Sequence, residues 1–454
     1  MAYVLNGLYL LALVLLSPWL IFKACTTGKY RRGLACKFLG SAPELPAARQ
    51  RIWFHGVSVG EVLLLKPLIA RIRHRYPDWE VVLSTTTDAG MEVARKHYPE
   101  LTHFWFPLDF TWAVRRALDR VKPTLVVLAE LELWPNFIQA AKAQGALVSV
   151  VNGRLGARSH RGYRRVRWLW RRVLGQVDLF AVQTQTYAER LHDLGAEASK
   201  LFITGSIKYD GVQTTRTNFR TLQLMKFLGL EELAGLPSPL VWVVGSTQAP
   251  EESLALYIYR EAKALYPSLR LVLVPRHPER FEEVARLLEQ SGLPYERRSQ
   301  MNSELHEVDA ILLVDTLGEL GAVWGLADLA FVGGSLARRG GQNMIEPAAY
   351  GIATMVGPNV WNFQDTVDQL LERDALVQVK DATDWRTQTL RLLGDAAARQ
   401  ELGNRAAAFV QSQQGAADTT LDLIRGLLKT RSFVLEAEAA DAAVAADDLQ
   451  RQAG

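Results

Sequence analysis

The sequence predicts an α/β protein of two units, each a parallel β-sheet covered by helices on both faces, behind an apolar N-terminal segment. Three observations carry this. From Arg51 onward, short apolar runs of strand length alternate with stretches of helical periodicity, the pattern of parallel strands joined by helical crossovers. The alternation pauses in a mixed segment that ends in Gly235-Leu-Pro-Ser-Pro, then starts again at Leu240. Ahead of both series, residues 1–22 are nearly all apolar, broken only by Asn6, Ser17 and Pro18. At 454 residues the chain has room for two or three domains.

The apolar start is long enough to matter, because roughly 20 such residues cross a bilayer core. No Lys or Arg precedes it, whereas Lys23, Lys29, Arg31, Arg32 and Lys37 follow. A cleaved signal peptide has its positive charge in front. The reverse order predicts a retained membrane anchor over residues 1–22, a basic juxtamembrane segment over 23–50, and the remainder of the chain on the cytoplasmic side. A spanning or deeply anchored helix fits; a helix lying on a membrane surface or a partner has the same composition. A net charge of +4 gives no reason to expect a nucleic-acid partner. Cys25 and Cys36 match no zinc spacing and form no disulfide framework, so a reducing compartment is expected.

Arg51–Ile72 organises the first unit. Ile52, Trp53 and Phe54 form a short strand, His55–Gly60 a turn of small residues, and Glu61 opens a helix whose Leu65, Leu68, Ile69 and Ile72 share one face. Pro67 predicts a kink or a second helix start. Strand–turn–helix geometry presents backbone N–H groups and a side chain at the carboxyl edge of a parallel sheet, where α/β proteins bind ligands. Glu61 lies on that edge as a candidate catalytic base. Ser58-Val-Gly-Glu61 equally fits a capping box, with the glutamate reaching back to the serine N–H.

The alternation continues in order. Strands are expected at 81–86, 103–106, 124–128 and 147–151, and helices at 89–97, 112–120 and from Pro135 to 143, with Pro135 suited to a first turn. Glu130 falls just past the third of these strands. Residues 158–172 contain seven arginines, no acid, and Trp168 and Trp170. They read either as a solvated helix with its aromatics in the core or as a contact for anionic headgroups. Strands at 179–183 and 201–204 close a first domain of 51–211, a linker of 212–239 follows, and a second domain covers 240–432 with strands at 240–244, 271–274, 310–314, 329–332 and 352–356. Residues 433–454, rich in Ala, Asp and Glu, read as a frayed or disordered tail. Two such α/β units are expected to close a cleft between them.

In the second unit four polar clusters lie at strand ends or turns: Gly245-Ser-Thr-Gln248 with Glu251 and Glu252; Pro275-Arg-His-Pro-Glu-Arg280; Asp315-Thr-Leu-Gly-Glu319; and Gly333-Gly-Ser with Gly340-Gly-Gln-Asn-Met-Ile-Glu346. Arg276 is able to bind phosphate oxygens bidentately. The glycines admit a close backbone approach. Asn343 is expected to cap the next helix, whose N-terminus attracts phosphate, and Glu346 to accept from ribose hydroxyls. Singly each is an ordinary turn or cap; together they point to a nucleotide. None is a P-loop or a dinucleotide fingerprint.

These motifs, in this order, resemble the 3-deoxy-D-manno-octulosonic acid (Kdo) transferases of lipopolysaccharide assembly. The resemblance runs through Ser58-Val-Gly-Glu61, Glu132-Leu-Trp-Pro-Asn136, Val151-Asn-Gly-Arg-Leu155, Gly205-Ser-Ile-Lys208, Val274–Phe281, Phe331–Leu336 and Glu346-Pro-Ala-Ala. It implies two Rossmann-like domains of the GT-B type, an N-terminal one for the acceptor and a C-terminal one for the nucleotide, with CMP-Kdo as donor and a tetra-acylated lipid A precursor (lipid IVA) as acceptor. It implies Glu61 as base, Glu130 and Lys208 as transition-state stabilisers, and Pro275, Arg276, Leu317, Gly318, Glu319, Asn343, Met344, Ile345 and Glu346 as CMP contacts. Gln248 and Gln342 depart from the pattern, standing where members commonly have histidine.

The residue types suit one inverting displacement: Glu61 takes a hydroxyl proton, and Arg276 and Lys208 stabilise the departing phosphate. No metal and no cofactor beyond the donor substrate are expected. The rival readings are another GT-B enzyme, such as a UDP-sugar transferase or epimerase, and a non-catalytic membrane-anchored scaffold.

Overall fold

Side chains alternate along every strand of the first unit, so each sheet face is set by sequence parity. Trp53, Val82, Val126, Val148 and Phe180 point into one buried layer; Ile52, Phe54, Leu83, Val127 and Val151 point into the other. Both layers are apolar, which is why the strands read as continuous apolar runs. The computed structural model describes residues 2–27, 31–46, 50–228, 230, 239–300 and 309–431. The predicted tail at 433–454 and residues 231–238 of the predicted linker lie outside the described residues. The chain divides into two compact units, one formed by residues up to Asp210 together with those from Gln414, the other by Gly211–Gln413.

The first unit is built on a seven-stranded sheet: β1 (Arg51–His55), β2 (Glu80–Thr85), β3 (Thr102–Trp105), β4 (Leu125–Ala129), β5 (Leu147–Gly153), β6 (Leu179–Val182) and β7 (Leu201–Ile203). Their order is β3-β2-β1-β4-β5-β6-β7, with every pairing parallel. The direction of winding reverses between β1 and β4, the switch point beside which open α/β sheets bind ligands. Pro67 acts as expected: helix Val59–Leu64 ends at Leu65 and a second helix, Lys66–Arg75, begins with the proline in its first turn. The arginine-rich stretch forms two helices, Ala157–Arg164 and Arg167–Leu174. Its seven arginines and Trp168 are exposed, whereas Trp170 packs on the core and on Tyr163.

Two domain expectations need correction. Residues 416–431 are helical but belong to the first unit, not to a second domain ending at 432. Ala416, Ala417, Ile424 and Leu428 are buried in its core, and the Asp210 carboxylate accepts the N–H groups of Gly415 (2.7 Å) and Ala417 (2.6 Å). Within 212–239, helix Phe219–Phe227 is part of the second unit: Thr221 Oγ1 donates to the Ala322 carbonyl at 3.1 Å, and Leu224 is buried.

The second unit repeats the architecture: β8 (Val241–Thr247), β9 (Arg270–Pro275), β10 (Tyr295–Arg297), β11 (Ile311–Leu313), β12 (Leu329–Val332), β13 (Ala353–Val356) and β14 (Val377–Gln378), in the order β10-β11-β9-β8-β12-β13-β14, all parallel. The winding reverses between β8 and β12. The edge strands β10 and β14 went unpredicted because they are half-buried and too short to show a period. Both units are Rossmann-like.

Candidate active site

In the first unit the candidate residues meet at the carboxyl edge of the sheet. Ser58 caps helix Val59–Leu64, its Oγ accepting the Glu61 N–H at 3.3 Å and donating to Glu61 Oε1 at 2.9 Å. Glu61 Oε2 accepts the Val57 N–H at 2.7 Å. The expected capping box is present: the glutamate reaches back to the Ser58 backbone N–H and, more closely, to the Val57 N–H. Gly56 packs closely here: a Cβ on it would lie 3.1 Å from Glu61 Cβ, a tight contact. Both carboxylate oxygens are held, yet each keeps a lone pair. Burial, with a lesser contribution from the charge of Glu130, raises the Glu61 carboxyl above the ordinary glutamate value, against the lowering effect of these hydrogen bonds.

Glu130 follows β4 directly and holds φ at 53°, in the left-handed region, while its N–H donates to the Val151 carbonyl at 2.9 Å. A non-glycine residue there costs of order 1–3 kcal/mol, and such strain concentrates at functional sites. Lys208 Nζ lies 3.8 Å from Glu130 Oε1, with both side chains about 30% exposed. At that exposure the pair contributes little to stability; it brings opposite charges to the switch-point edge. Asn152 was not singled out from sequence. It is the last residue but one of β5 and holds φ at 56°, and its Oδ1 accepts from Ser206 Oγ (3.2 Å) and the Ile207 N–H (3.0 Å), fixing the turn that presents Lys208. Glu132 likewise has no signal in the sequence beyond its place in Glu132-Leu-Trp-Pro-Asn136. Burial first, then the charges of Glu61 and Glu130, push its carboxyl up to about 7.

In the second unit, Glu251 organises the glycine loop after β12. This buried carboxylate accepts the N–H groups of Gln248 (2.9 Å), Gly334 (2.8 Å), Ser335 (3.0 Å), Leu336 (2.9 Å) and Ala337 (3.4 Å). Gly333 is required by closeness: a Cβ would lie 2.6 Å from Glu251 Oε2. Arg276, exposed after β9, donates through Nε to Gln342 Oε1 at 3.0 Å. A Cβ on Gly334, which holds φ at 67°, would lie 3.3 Å from the amide nitrogen of Gln342 and 3.4 Å from that of Gln248. The two glutamines that replace histidine thus converge with Arg276 on one loop.

Gly318 and Glu346 line a cavity of about 490 Å³, together with residues from Gly211 to Arg220, among them Asn218, Phe219 and Arg220. Glu346 Oε1 accepts from Asn343 Nδ2 at 3.0 Å, and burial raises its carboxyl above the ordinary value. Asn343 Oδ1 takes the Ile345 N–H at 3.1 Å, but helix Ile345–Ala349 has only five residues, so its dipole adds little to anion binding. That weakens the expected phosphate site at its N-terminus. Met344 and Ile345 are buried and offer backbone rather than side chain, as does Pro275 at the end of β9. Leu317 is exposed, Gly318 has φ 90°, and Glu319 is held by Arg298 at 3.0 Å and by Thr316. Among the described residues no group of three His, Cys, Asp or Glu side chains converges as a metal site.

Two Rossmann-like units of parallel sheet, with carboxylates at the switch point of one and an arginine, a glycine loop and a buried carboxylate in the other, define the GT-B class of nucleotide-sugar enzymes. The fold agrees with a solved putative UDP-N-acetylglucosamine 2-epimerase from Listeria monocytogenes, at TM-score 0.56, 13% identity, 84% of this chain and 98% of that one; at such identity the likeness is one of fold alone. The family model of 3-deoxy-D-manno-octulosonic-acid transferase (kdotransferase) matches residues 31–211. The chain is 33% identical to the 3-deoxy-D-manno-octulosonic acid transferase of Haemophilus influenzae, over 88% of this chain and 92% of that protein. It is 33% identical to the one from Bordetella pertussis, over 93% and 99%. It belongs to the Kdo transferase family.

Proposed function

We propose that this enzyme moves Kdo from CMP-Kdo onto a lipid A precursor, lipid IVA, with inversion, at the cytoplasmic face of the inner membrane. Kdo transfer is the family's activity, and the chain is a glycosyltransferase of lipopolysaccharide synthesis. What supports the catalytic assignment is Glu61 at the switch-point edge, with each oxygen pre-bonded and a lone pair left on each.

Glu61 takes the proton of an acceptor hydroxyl as its oxygen attacks the anomeric carbon of Kdo. The bond from that carbon to the CMP phosphate oxygen breaks, and CMP departs with the electron pair. One base suffices for a single displacement, and general-base help is worth roughly 10²–10⁴-fold. Lys208, beside Glu130, and Arg276 stabilise the developing negative charge. Glu346 accepts from the ribose hydroxyls, and the backbone of 317–319 and 343–345 receives the remainder of the nucleotide. The scheme uses no metal and no further cofactor. The apolar N-terminal helix and the exposed arginines keep the enzyme beside its lipid acceptor.

Incubation of the purified protein with CMP-Kdo and lipid IVA, followed by the mass of the product, tests the reading. Addition of Kdo by the wild type, and its loss in Glu61→Gln with CMP binding retained, is expected. Near-wild-type turnover of Glu61→Gln would remove the base assignment, and transfer from UDP-sugars instead would remove the donor.

A further inference from the structure

Helix Ala2–Thr27 is long and apolar enough to cross a bilayer, yet it is bonded to the first unit near its start. Asn6 is buried. Its Nδ2 donates to Thr111 Oγ1 at 2.8 Å, and its Oδ1 accepts the Thr111 N–H at 3.2 Å and Asn136 Nδ2 at 3.3 Å. The Tyr9 hydroxyl donates to Asp109 Oδ2 at 3.1 Å, and the Tyr9 ring stands edge-on to Phe110. Asp109 in turn accepts the N–H groups of Asn136 and Phe137, the first turn of helix Pro135–Ala143. Leu5, Tyr9, Leu13 and Ser17 are half-buried and continue the line of Asn6 at helical spacing. Val4, Leu8, Leu11, Leu15, Trp19 and Phe22 are exposed.

An upright span conflicts with these contacts. Asn6 and Lys23 are separated by roughly 25 Å along a helix axis at 1.5 Å per residue, most of a hydrocarbon core of about 30 Å. With Lys23 at the headgroups, Asp109, Thr111 and Asn136 would be drawn to that depth, and the polar unit with them. The far end is tied to the same place. The steps from Thr27 to Leu34 cover at most roughly 25 Å of chain, and helix Leu34–Leu39 packs against Thr111–Val121, the helix that receives Asn6. Trp112 Nε1 donates to the Phe38 carbonyl at 2.9 Å, and its ring stacks on the same Phe110. Leu34, Leu39 and Trp112 are exposed, so the apolar surface continues from the helix onto the unit.

We propose that helix Ala2–Thr27 lies in the plane of an anionic phospholipid bilayer, docked on the first unit through Asn6 and Tyr9, with Leu34, Leu39 and Trp112 entering the same leaflet. The occupant follows from the mixed chemistry: an apolar face and exposed Trp for acyl chains and interface, and exposed Arg31, Arg32 and the arginines of 158–172 for anionic headgroups. The proposal rests on the membrane reading above and replaces the crossing helix with a surface one.

Flotation of the full-length protein with vesicles of phosphatidylethanolamine and phosphatidylglycerol tests the membrane reading by itself: flotation is expected, and its absence ends that reading. A hydrophilic protease-sensitive tag placed before Met1 then reports topology. Digestion in inverted inner-membrane vesicles with protection in spheroplasts is expected. Digestion from the outside of spheroplasts overturns the in-plane helix alone, and protection from both sides does too, because an in-plane helix leaves its first residue at the aqueous surface. Asn6→Leu makes a spanning segment more apolar but a docked one weaker. In detergent its Tm falls under the proposal, and an unchanged Tm overturns the docking.

Discussion

Ser58 and Glu61 are bonded twice in opposite directions: the serine hydroxyl donates to Glu61 Oε1 at 2.9 Å and accepts the Glu61 N–H at 3.3 Å. The serine therefore caps the helix and favours the ionised form of the base at once. Ser58→Ala removes both effects. The lost cap costs about 1 kcal/mol, read as a lower Tm. The lost donor lets burial act on Glu61 with less opposition, so the acid limb of the kcat/KM profile moves to higher pH. An unmoved limb would detach Ser58 from the base.

Glu132 predicts a pH dependence of stability. Its carboxyl is pushed up to about 7 from an ordinary 4.5, so in this window the folded state holds a proton that the unfolded chain has released. Its contribution is fully present below 4.5 and is lost as pH rises through about 7. Asp109, raised to about 6 by burial, acts with the same sign at lower pH. His55, which burial lowers from 6.5 to about 3, acts with the opposite sign below 6.5, so the test is a comparison: between pH 5 and 8 the Tm of the wild type is expected to drop relative to that of Glu132→Gln as pH rises. Parallel curves for the two proteins would refute the assignment.

Much of this was legible in the chain. Ser58-Val-Gly-Glu61 announces its own cap because partners three residues apart must meet at a helix start. Pro67 announces the second helix because it cannot lie in the interior of the first. Links between distant residues leave no such local trace. Asn152 reaches a turn 54 residues later, and the left-handed backbone of Glu130 is imposed by the sheet around it. Asn6 read as an interruption of an apolar run, whereas its partners are Thr111 and Asn136. The helix at 416–431 has an ordinary amphipathic pattern; what assigns it to the first unit is distant in sequence, the Asp210 cap and the core that takes up Ala417, Ile424 and Leu428.

Glu251 tests how far the second unit depends on one carboxylate. Glu251→Ala strands several buried N–H groups, each costing about 1–3 kcal/mol, so that variant is expected to lose folded protein. Glu251→Gln keeps the shape and one full acceptor. It is expected to fold with a lower Tm and to bind CMP more weakly by calorimetry, because the 333–337 loop loses its anchor. Wild-type CMP affinity in Glu251→Gln would separate that loop from the nucleotide.

Arg220 and Phe219 are exposed on the wall of the cavity that Glu346 and Gly318 also line, and no motif marks them. A cation and an open aromatic face beside the half-buried Glu346 carboxylate match the parts of a nucleotide: phosphate, base and ribose. Arg220→Ala is expected to weaken CMP on the order of tenfold, the loss of one charge-assisted hydrogen bond, while leaving cytidine affinity unchanged. Phe219→Ala and Glu346→Gln are expected to weaken CMP and cytidine alike. Equal losses for both ligands in Arg220→Ala would move the phosphate away from this wall, and no loss in any of the three would move the nucleotide out of the cavity.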